Sequence, residues 1–585
     1  MRTFRIAFFC MGLLALGSLW AQVATLKPSL SSKSPYDVSI YPATKLIVNE
    51  GFLAYFVEIS NTSSDPVSFE VEAQYQARHS SNNANTESSR TDVFTVPAGT
   101  KQIFSSQVLT SDSSGVGWGS PSIHFRVSGP TIRGSNAGTV SANYTRNRNQ
   151  VAFIGFVGGL FAQVGSSLDD PSTRDLLVER FDKAYMPLAA TAYTGMDAVA
   201  INASIWTDLA PEAREALLDW VTLGGRLILH VASSRDLDQR FLESEFQLKG
   251  NAPSVAMGFG EIHRINSKET GVWEKWIDTN IEPNKRQRFS NGQTTWLGEA
   301  WEDLIADDPI NMNAALVSLF MIAFAVIIGP VNLIKFAPPH KRFRIFITTP
   351  IISLVASMIL VGVILVGDGV GGSSYQSSLA YLDGDAGKYY VDQRAVVRSS
   401  LLFDTKVETD PDKRLMPLLV NEFDRRAANA YDHTGPVHAG DFLSNRRWQG
   451  LGSEYVEPTR STIDVERTDE GAWEVYSSIS AQLSEVMYVD ELGIYWNVSD
   501  LGQGGRKTMS KAEQNTIQRF WLEIEENSSA AHYRDVRRWS RRNRGFFIAT
   551  TEAVQELPAL ELPAIIMQDQ YLVLCGLVDG EGGIQ

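Results

Sequence analysis

The eight histidines are the residues whose spacing could indicate a metal site or a general base. No two of them form the His-x-x-x-His arrangement that places two imidazoles on one face of a helix. The closest pair in the sequence, His433 and His438, lacks that spacing. The pattern therefore predicts no metal site.

Two serines, Ser204 and Ser233, follow predicted strands and are candidate nucleophiles. Neither stands in the Gly-x-Ser-x-Gly turn that exposes a catalytic serine above an α/β sheet. His230 lies inside a predicted strand, and we interpret it as a core residue with satisfied polar atoms. Carboxylates are abundant, but their spacing alone cannot select a glycosidase pair. No catalytic residue is predicted, so the interpretation favours a non-catalytic protein, with an enzyme as the alternative.

Residues 367–372 match the dinucleotide-binding pattern Gly-x-Gly-x-x-Gly. That pattern acts in nucleotide binding when it follows a strand and opens a helix. Here it follows a long apolar run and precedes no clear helix. We interpret it as a flexible exit from a membrane segment, and no cofactor-binding residue is predicted.

Two apolar runs, residues 314–335 and 345–366, are joined by the short loop 336–344. About 20 apolar residues in a helix span the hydrocarbon core of a bilayer, so the pattern predicts a two-helix transmembrane hairpin. Two very apolar soluble helices are the alternative. Gly329, Pro330 and Pro350 predict a kink or a tight helix contact. Asn332 and Ser318 are mildly polar, and the absence of an ionisable residue before the end of either run disfavours transport.

Flanking charges predict the orientation of the hairpin. Basic residues stay on the cytoplasmic side, and the loop with its border carries Lys335, Lys341, Arg342 and Arg344. Both large regions are therefore expected outside the cytoplasm. Residues 1–21 combine Arg2 and Arg5 with a short apolar stretch, which predicts a secretory signal peptide. An uncleaved anchor is the alternative and would give the same topology.

Composition limits the class of protein. The chain has 585 residues, a formal charge of −15 and a pI of about 5.1, which disfavours nucleic acid as a partner. Of its two cysteines, Cys10 would leave with the signal peptide, so Cys575 could form no intrachain disulfide. A large outward-facing protein without disulfides suits a bacterial envelope. We therefore predict the bacterial inner membrane, with both large regions periplasmic or extracellular.

Two regions precede the hairpin. Residues 30–148 show short alternating strands separated by turn residues and resemble bacterial immunoglobulin-like β-sandwiches. Residues 149–300 alternate strands with a helix at 211–223, which predicts a parallel sheet. The string at 208–229 resembles the class I glutamine-amidotransferase-like (flavodoxin-like) α/β fold. The resemblance implies a cysteine nucleophile, but this region contains no cysteine, so we interpret it as non-catalytic, with ligand binding at the carboxyl edge of the sheet left open.

Residues 375–585 are predicted to form a β-rich outward-facing domain with helices near 511–544. Its helical segment carries five arginines: Arg537, Arg538, Arg541, Arg542 and Arg544. We interpret them as a solvated face that pairs with Glu523, Glu525 and Glu526. Docking to anionic lipid or to an envelope polymer is the alternative.

The order of these segments resembles a group of large, uncharacterised bacterial envelope membrane proteins, with Ile-Gly-Pro-Val-Asn at 328–332 as the sharpest local match. The resemblance implies an architecture and no catalytic residues. The sequence thus predicts a multidomain membrane-anchored protein that presents two outward modules to protein or polymer partners. The alternative is a ligand-binding sensor or hydrolase that uses the α/β region.

Overall fold

The computed structural model of the protein describes most of the chain. The described residues are 25–31, 33–44, 47, 51–78, 85–110, 121–141, 152–168, 176–231, 239–250, 252–281, 314–368, 371–401, 406–410, 413–418, 429–443, 448–468, 471–562 and 565–578. The predicted signal peptide, Ser233 and part of the glycine motif at 367–372 lie outside them. The chain is a multidomain, strand-rich protein with several sheets and two long apolar helices.

Two sheets pack face to face in the first region. Their strands are β1 (Ser29–Leu30), β2 (Tyr36–Pro42), β3 (Gly51–Asn61), β4 (Val67–Arg78), β5 (Asn85–Val96), β6 (Lys101–Thr110), β7 (Ser122–Ser128), β8 (Ile132–Gly134) and β9 (Asn136–Ser141). The orders β2-β3-β6 and β5-β4-β7-β9 are both antiparallel, and β1 pairs with β8. Edge-to-face contact between Tyr55 and Phe125, with centroids 5.2 Å apart, joins the two sheets in one core.

A mostly parallel sheet follows, in the order β11-β10-β12-β13-β15-β14. Its strands are β10 (Ala152–Val157), β11 (Leu176–Phe181), β12 (Ala198–Asn202), β13 (Arg226–His230), β14 (Ser254–Met257) and β15 (Gly260–Ile265); only β14 is antiparallel. The α-helices are α1 (Ser166–Leu168), α2 (Ala203–Trp206), α3 (Pro211–Thr222), α4 (Gln239–Phe246) and α5 (Thr270–Asn280). A π-helical turn precedes α1 at Phe161–Gly165, and 3₁₀ turns occupy Lys183–Tyr185 and Ala190–Tyr193. The predicted parallel sheet is confirmed.

Helix α3 shows why this sequence folds as it does. Pro211 opens the helix, where a missing backbone donor costs nothing. Trp220 is buried on the inner face, and Gly224 ends the helix with φ of 114°. A Cβ at Gly225 would lie 2.3 Å from the Trp220 ring, so glycine allows the chain to turn closely into β13.

Within the described ranges, two helices are long and apolar enough to cross a membrane. α6 (Ala314–Val326) continues into the π-helical segment Ile327–Phe336, the 3₁₀ turn Pro339–Arg344 follows, and α7 (Ile345–Asp368) completes the pair. The spans 318–336 and 339–362 bury little of their apolar surface, and the Phe346 side chain is 84% exposed. The unusual helical geometry around Pro330 agrees with the predicted irregularity there.

The remainder is β-rich, with a nine-stranded sheet in the order β19-β22-β17-β16-β30-β29-β25-β26-β28. Its elements and their neighbours are β16 (Gly371–Asp383), β17 (Lys388–Leu401), β18 (Val407–Glu408), β19 (Arg414–Leu418), β20 (Asn429–Thr434), β21 (Val437–Gly440), β22 (Trp448–Pro458), β23 (Ile463–Arg467), β24 (Trp473–Ser477), β25 (Leu483–Val489), β26 (Tyr495–Leu501), β27 (Gly505–Thr508), β28 (Ser510–Lys511), α8 (Gln514–Asn527), α9 (Ala530–Arg542), β29 (Phe546–Thr551) and β30 (Ile565–Leu577). β23, β24 and β27 form a separate sheet.

One sheet combines strands from both sides of the apolar helices. β20 pairs in parallel with β5 over six register positions, from Asn429↔Thr86 to Thr434↔Thr91. β21 and β18 extend the same sheet, which reads β18-β21-β20-β5-β4-β7-β9. Ser89 donates to Asp432 across 2.7 Å at this joint. The chain thus leaves the first region, forms both apolar helices, and returns to complete the first region's sheet.

Candidate functional site

The carboxyl edge of the parallel sheet is the first candidate, because ligands in α/β folds bind there. Gly158 follows β10 with φ of 62°, and Ser204 is exposed on α2 directly after β12. His230 is the last residue of β13. Among the described residues, no hydrogen bond joins Ser204 to His230, so this edge does not assemble a nucleophile with a base.

His230 is buried, as expected, but its polar atoms are not satisfied as expected. Neither ring nitrogen has a hydrogen-bond partner among the described residues, and the ring lies 6.2 Å from that of Trp273. Burial, with a smaller contribution from Lys268, lowers the pKa of His230. The imidazole is therefore held neutral within the apolar layer between the sheet and α5.

A serine, a histidine and an aspartate meet inside the C-terminal region, which sequence spacing could not reveal. Ser377 Oγ lies 2.8 Å from His532 Nδ1, and His532 Nε2 lies 3.3 Å from Asp392 Oδ2. Asp392 also accepts from Arg394, with Nη2 at 2.9 Å. The order serine, histidine, aspartate is that of a hydrolytic triad, but the imidazole is reversed, with Nδ1 towards the serine and Nε2 towards the aspartate, and Nε2 makes no hydrogen bond to a described residue. The three groups are contributed by β16, β17 and α9.

This buried network is sealed from solvent. Ser377, Arg394 and His532 are almost completely buried, and the Ser377 hydroxyl also accepts from the backbone N–H of Ser529. Ser377 has no exposed surface at which a substrate carbonyl could meet its hydroxyl. The geometry therefore favours a structural role, in which the network fixes the start of α9 against the sheet.

The histidine pair His433 and His438 comes together in a way that helix spacing did not predict. The two residues are cross-strand partners on the β20–β21 hairpin, with ring centroids 4.5 Å apart. Thr409 Oγ1 lies 2.8 Å from His438 Nε2. In the part of the chain that the structure describes, no three metal-ligating side chains cluster there or elsewhere. Both rings of the pair pack edge-to-face against Phe442.

Charged side chains join the α/β region to the C-terminal region. Lys388 Nζ lies 2.6 Å from Glu215 Oε1 and 3.2 Å from Asp219 Oδ1, and Tyr390 donates to Asp219 across 3.0 Å. Arg542 forms a second ion pair with Glu261 of β15. The two regions on either side of the apolar helices are therefore attached at two further points.

The predicted pairing of the arginines with Glu523, Glu525 and Glu526 does not occur among the described residues. Arg542 instead pairs with Glu261, and the Arg537 guanidinium lies 4.2 Å from the centroid of the Trp521 ring. Arg538 and Arg541 form no ion pair within the described residues. The arginine positions on α9 nevertheless share one side of the helix, opposite the buried Val536 and Trp539.

Asn332 is the polar centre of the helical hairpin. Its Nδ2 donates to Thr349 Oγ1 across 3.0 Å, and its Oδ1 accepts from Thr348 Oγ1 at 2.7 Å. Asn332 is buried, unlike most of the residues around it. Its contacts clamp the two apolar helices together and give Asn332, the last residue of the Ile-Gly-Pro-Val-Asn pattern, a packing role.

An open cavity of about 430 Å³ lies at the end of β22. Its lining is mixed polar and apolar, and Glu556 within it accepts a hydrogen bond from Ser480. The residues that line it are Pro458, Thr459, Arg460, Ser461, Ser478 and Glu556. One guanidinium and one carboxylate could hold a small polar ligand of mixed charge.

No protein-family model and no curated protein matches the chain. Among solved structures, it is similar to the Bacillus subtilis sporulation control protein Spo0M, at 8% identity and a TM-score of 0.15, over 20% of this chain and 51% of that one. It is also similar to the yeast delta-COP-I mu-homology domain, at 8% identity and a TM-score of 0.16, over 36% and 96%. A third similarity is to Bacteroides uniformis beta-glucuronidase 2, at 10% identity and a TM-score of 0.13, over 33% and 23%. The chain thus spans about half the length of Spo0M, and similarities this small carry no argument about fold or function.

Proposed function

We propose that the protein is a non-catalytic membrane-anchored component of a bacterial envelope that presents its outward regions to a protein partner. In this proposal it crosses the inner membrane twice after its signal peptide is cleaved, with both large regions outside the cytoplasm. The immunoglobulin-like and amidotransferase-like assignments of the first two regions belong to the same proposal.

The parallel pairing of β20 with β5 is the observation that carries it. Open sheet edges are not tolerated in a bilayer core, which supports an arrangement with the strands before and after the apolar helices on one side of the membrane. Two crossings return the chain to its starting side. The ion pair between Lys388 and Asp219 supports the same arrangement.

Charge supports the direction of insertion. Lys341, Arg342 and Arg344 lie in the turn between the apolar helices, where a cytoplasmic location agrees with the distribution of basic residues in membrane proteins. The sealed Ser377 network and the unassembled carboxyl edge both favour presentation of surfaces over catalysis.

Cysteine labelling of the full chain in intact cells tests the topology. Lys33→Cys and Asp464→Cys place thiols on either side of the hairpin in sequence, and Arg342→Cys places one in its turn; all three positions are exposed. The native Cys575 is buried and provides a low background. We expect a membrane-impermeant maleimide to label the first two variants directly and the third only after permeabilisation. Labelling of only one of the first two would contradict the proposal.

In-cell crosslinking followed by mild detergent extraction tests the presentation role. We expect a partner protein to copurify with the full chain in a stoichiometric amount. Substitutions on the exposed surface of the outward regions should abolish this copurification. Recovery of the uncrosslinked chain without any partner would count against the presentation role and favour the second candidate function.

That second candidate is ligand binding, or hydrolysis, in the α/β region. The observation that favours it is the buried His230 with two unpartnered ring nitrogens at the carboxyl edge. A thermal-shift screen of metabolites against the full chain tests it. A stabilising ligand whose effect is lost in His230→Phe, with the fold retained, would support it; no stabilising ligand would leave it without support.

A further inference from the structure

The outer side of α9 is a one-sided arginine surface on an acidic protein. Its residues follow the spacing i, i+3, i+4, i+7 and i+8, which places them along one helical stripe. We call this stripe, with the adjacent Arg544, the arginine face. Its members are Arg534, Arg537, Arg538, Arg541, Arg542 and Arg544.

Only some arginines of the arginine face form ion pairs with described residues of the chain. Arg534 pairs with Asp535 at 3.8 Å, and Arg542 pairs with Glu261. Among the described residues, Arg538 and Arg541 have no acidic partner, and Arg544 donates only to the neighbouring backbone carbonyl of Asn543. Because the whole chain carries a formal charge of −15, a cluster of uncompensated guanidinium groups is a local exception. Guanidinium groups bind carboxylates and phosphates through paired N–H donors.

An exposed apolar side chain lies beside this surface. Leu492 is 84% exposed at the β25–β26 turn. The turn is held rigid by Asp490, which accepts from the backbone N–H groups of Leu492 and Ile494 at 3.0 and 2.8 Å. A Cβ at Gly493 would lie 3.4 Å from Nε of Arg544, so the Arg544 side chain lies against this turn. Apolar and cationic groups are therefore presented together.

The position along the chain disfavours lipid as the occupant. Tyr381 on β16 contacts Trp539 of α9, with ring centroids 5.9 Å apart. Tyr381 lies ten residues beyond Gly371, where β16 begins close after the second apolar helix. Ten strand residues extend about 33 Å, so this part of α9 contacts β16 about that far along the strand from Gly371.

We propose that the arginine face, together with Leu492, binds an acidic segment of a partner protein that carries carboxylates beside an apolar side chain. Carboxylates complement the unpaired guanidinium groups of Arg538 and Arg541. An apolar side chain from the same segment covers Leu492, which a purely hydrophilic polyanion would leave exposed. This inference rests on the proposed presentation role and names the surface and the chemistry of the partner.

Direct binding to purified full-length protein in nanodiscs without anionic lipid tests it. The probes are a synthetic Glu–Leu peptide, poly-L-glutamate, polyphosphate, and phosphatidylglycerol vesicles. We expect the Glu–Leu peptide to bind most tightly and Arg538→Glu/Arg541→Glu to weaken it about tenfold, a change of about 1.4 kcal/mol. Leu492→Ser should weaken the Glu–Leu peptide and leave poly-L-glutamate unchanged.

A control with the same change in charge is Lys33→Glu/Arg133→Glu, at exposed sites of the first region. It should leave the affinity within about twofold of the unmodified protein, since rim charges act locally at moderate salt. If Arg538→Glu/Arg541→Glu does not fold, the exposed single change Arg541→Gln replaces it, with a smaller expected loss.

Unchanged affinity in the arginine variant would overturn the inference, and so would stronger binding of polyphosphate or vesicles than of the Glu–Leu peptide. These results are distinguishable from failure of the proposed function. Failed cysteine labelling with intact peptide binding would contradict the topology alone, whereas lost peptide specificity with the expected labelling would contradict the arginine face alone.

Discussion

The hydroxyl oxygen of Ser89 lies 2.7 Å from Oδ1 of Asp432, although the two residues are 343 positions apart and the two apolar helices lie between them in sequence. This contact belongs to the parallel β5–β20 joint, where neighbouring backbones are about 4.8 Å apart. The first region of the protein is therefore incomplete without the segment that follows the helices.

The joint predicts a specific crosslink. Ser89→Cys/Asp432→Cys should become crosslinked in intact membranes by a short bifunctional maleimide, because the two residues are register partners on neighbouring strands and their side chains are in contact. Ser89→Cys/Asp464→Cys, which places the second thiol on the separate β23 sheet, is the matched control and should remain uncrosslinked. Gel mobility after denaturation gives the readout. Equal crosslinking of both pairs would show that the joint does not form in the membrane.

Removal of the Asp392 charge is expected to be costly. Asp392→Asn removes the carboxylate that is ion-paired with the buried Arg394, and removal of one partner of a buried ion pair costs about 3–5 kcal/mol. Urea unfolding of the full chain in detergent, monitored by tryptophan fluorescence, measures the loss. Asp464→Asn, at an exposed position, should change the free energy of unfolding by less than about 0.5 kcal/mol. Similar values for the two variants would mean that the network does not stabilise the fold.

Glu261 predicts a pH dependence. The hydrogen bond from His263, against the opposing effect of burial and with help from Arg542, lowers the pKa of Glu261 to about 2 from 4.5. The Glu261 carboxylate is therefore protonated more readily in the unfolded chain than in the folded one. Its contribution to the free energy of unfolding is present above about pH 4.5 and is lost as pH falls towards 2. The difference in urea midpoint between the unmodified protein and Glu261→Gln should shrink across that window. A constant difference would contradict the assignment.

The Asn332 clamp predicts the stability of the helical hairpin. Asn332→Leu keeps the size of the side chain but removes two hydrogen bonds, which in a membrane are worth about 1 kcal/mol together. Energy transfer between dyes at the two helix ends, measured during denaturant titration, should show earlier separation. Leu333→Ala, at a neighbouring exposed position, is the control and should have a smaller effect. Greater damage from Leu333→Ala would count against the clamp.

Close packing at Gly225 gives a further prediction. A Cβ there would overlap the Trp220 ring, so Gly225→Ala should destabilise the α/β region by about 1–3 kcal/mol through forced repacking. Gly159→Ala is the matched control, because a Cβ at that position meets no atom within 4 Å. Thermal unfolding of the two variants distinguishes the outcomes. Equal thermal unfolding midpoints for the two variants would mean that the turn before β13 accommodates the added Cβ without loss of stability.

Local patterns predicted the parts of the fold that depend on local sequence. The apolar runs predicted the two long helices, and the Pro211 to Gly225 pattern predicted helix α3 and the strand after it. The turn at Asp490 is of the same local kind, because its geometry is set by neighbouring residues.

Contacts between distant segments could not be predicted in the same way. The β5–β20 joint brings together residues several hundred positions apart. The Ser377–His532 contact joins residues more than one hundred positions apart. No rule of sequence spacing predicts contacts between such distant residues. The partner of Arg542 was expected on α8 but is Glu261, because the packing of α9 against the sheet orients that side chain. The orphaned ring nitrogens of His230 also depend on neighbours that only the fold supplies.

The β5–β20 joint also imposes an order on biosynthesis. β5 leaves the ribosome long before β20, and at about 5–20 residues per second the 343 residues between Ser89 and Asp432 take roughly 20–70 s to translate. During that interval one edge of the first sheet has no partner, while both apolar helices must enter the bilayer. An unpaired edge of this kind recruits other strands and leads to aggregation. The nascent chain is therefore a natural client for a holding chaperone until its later strands arrive.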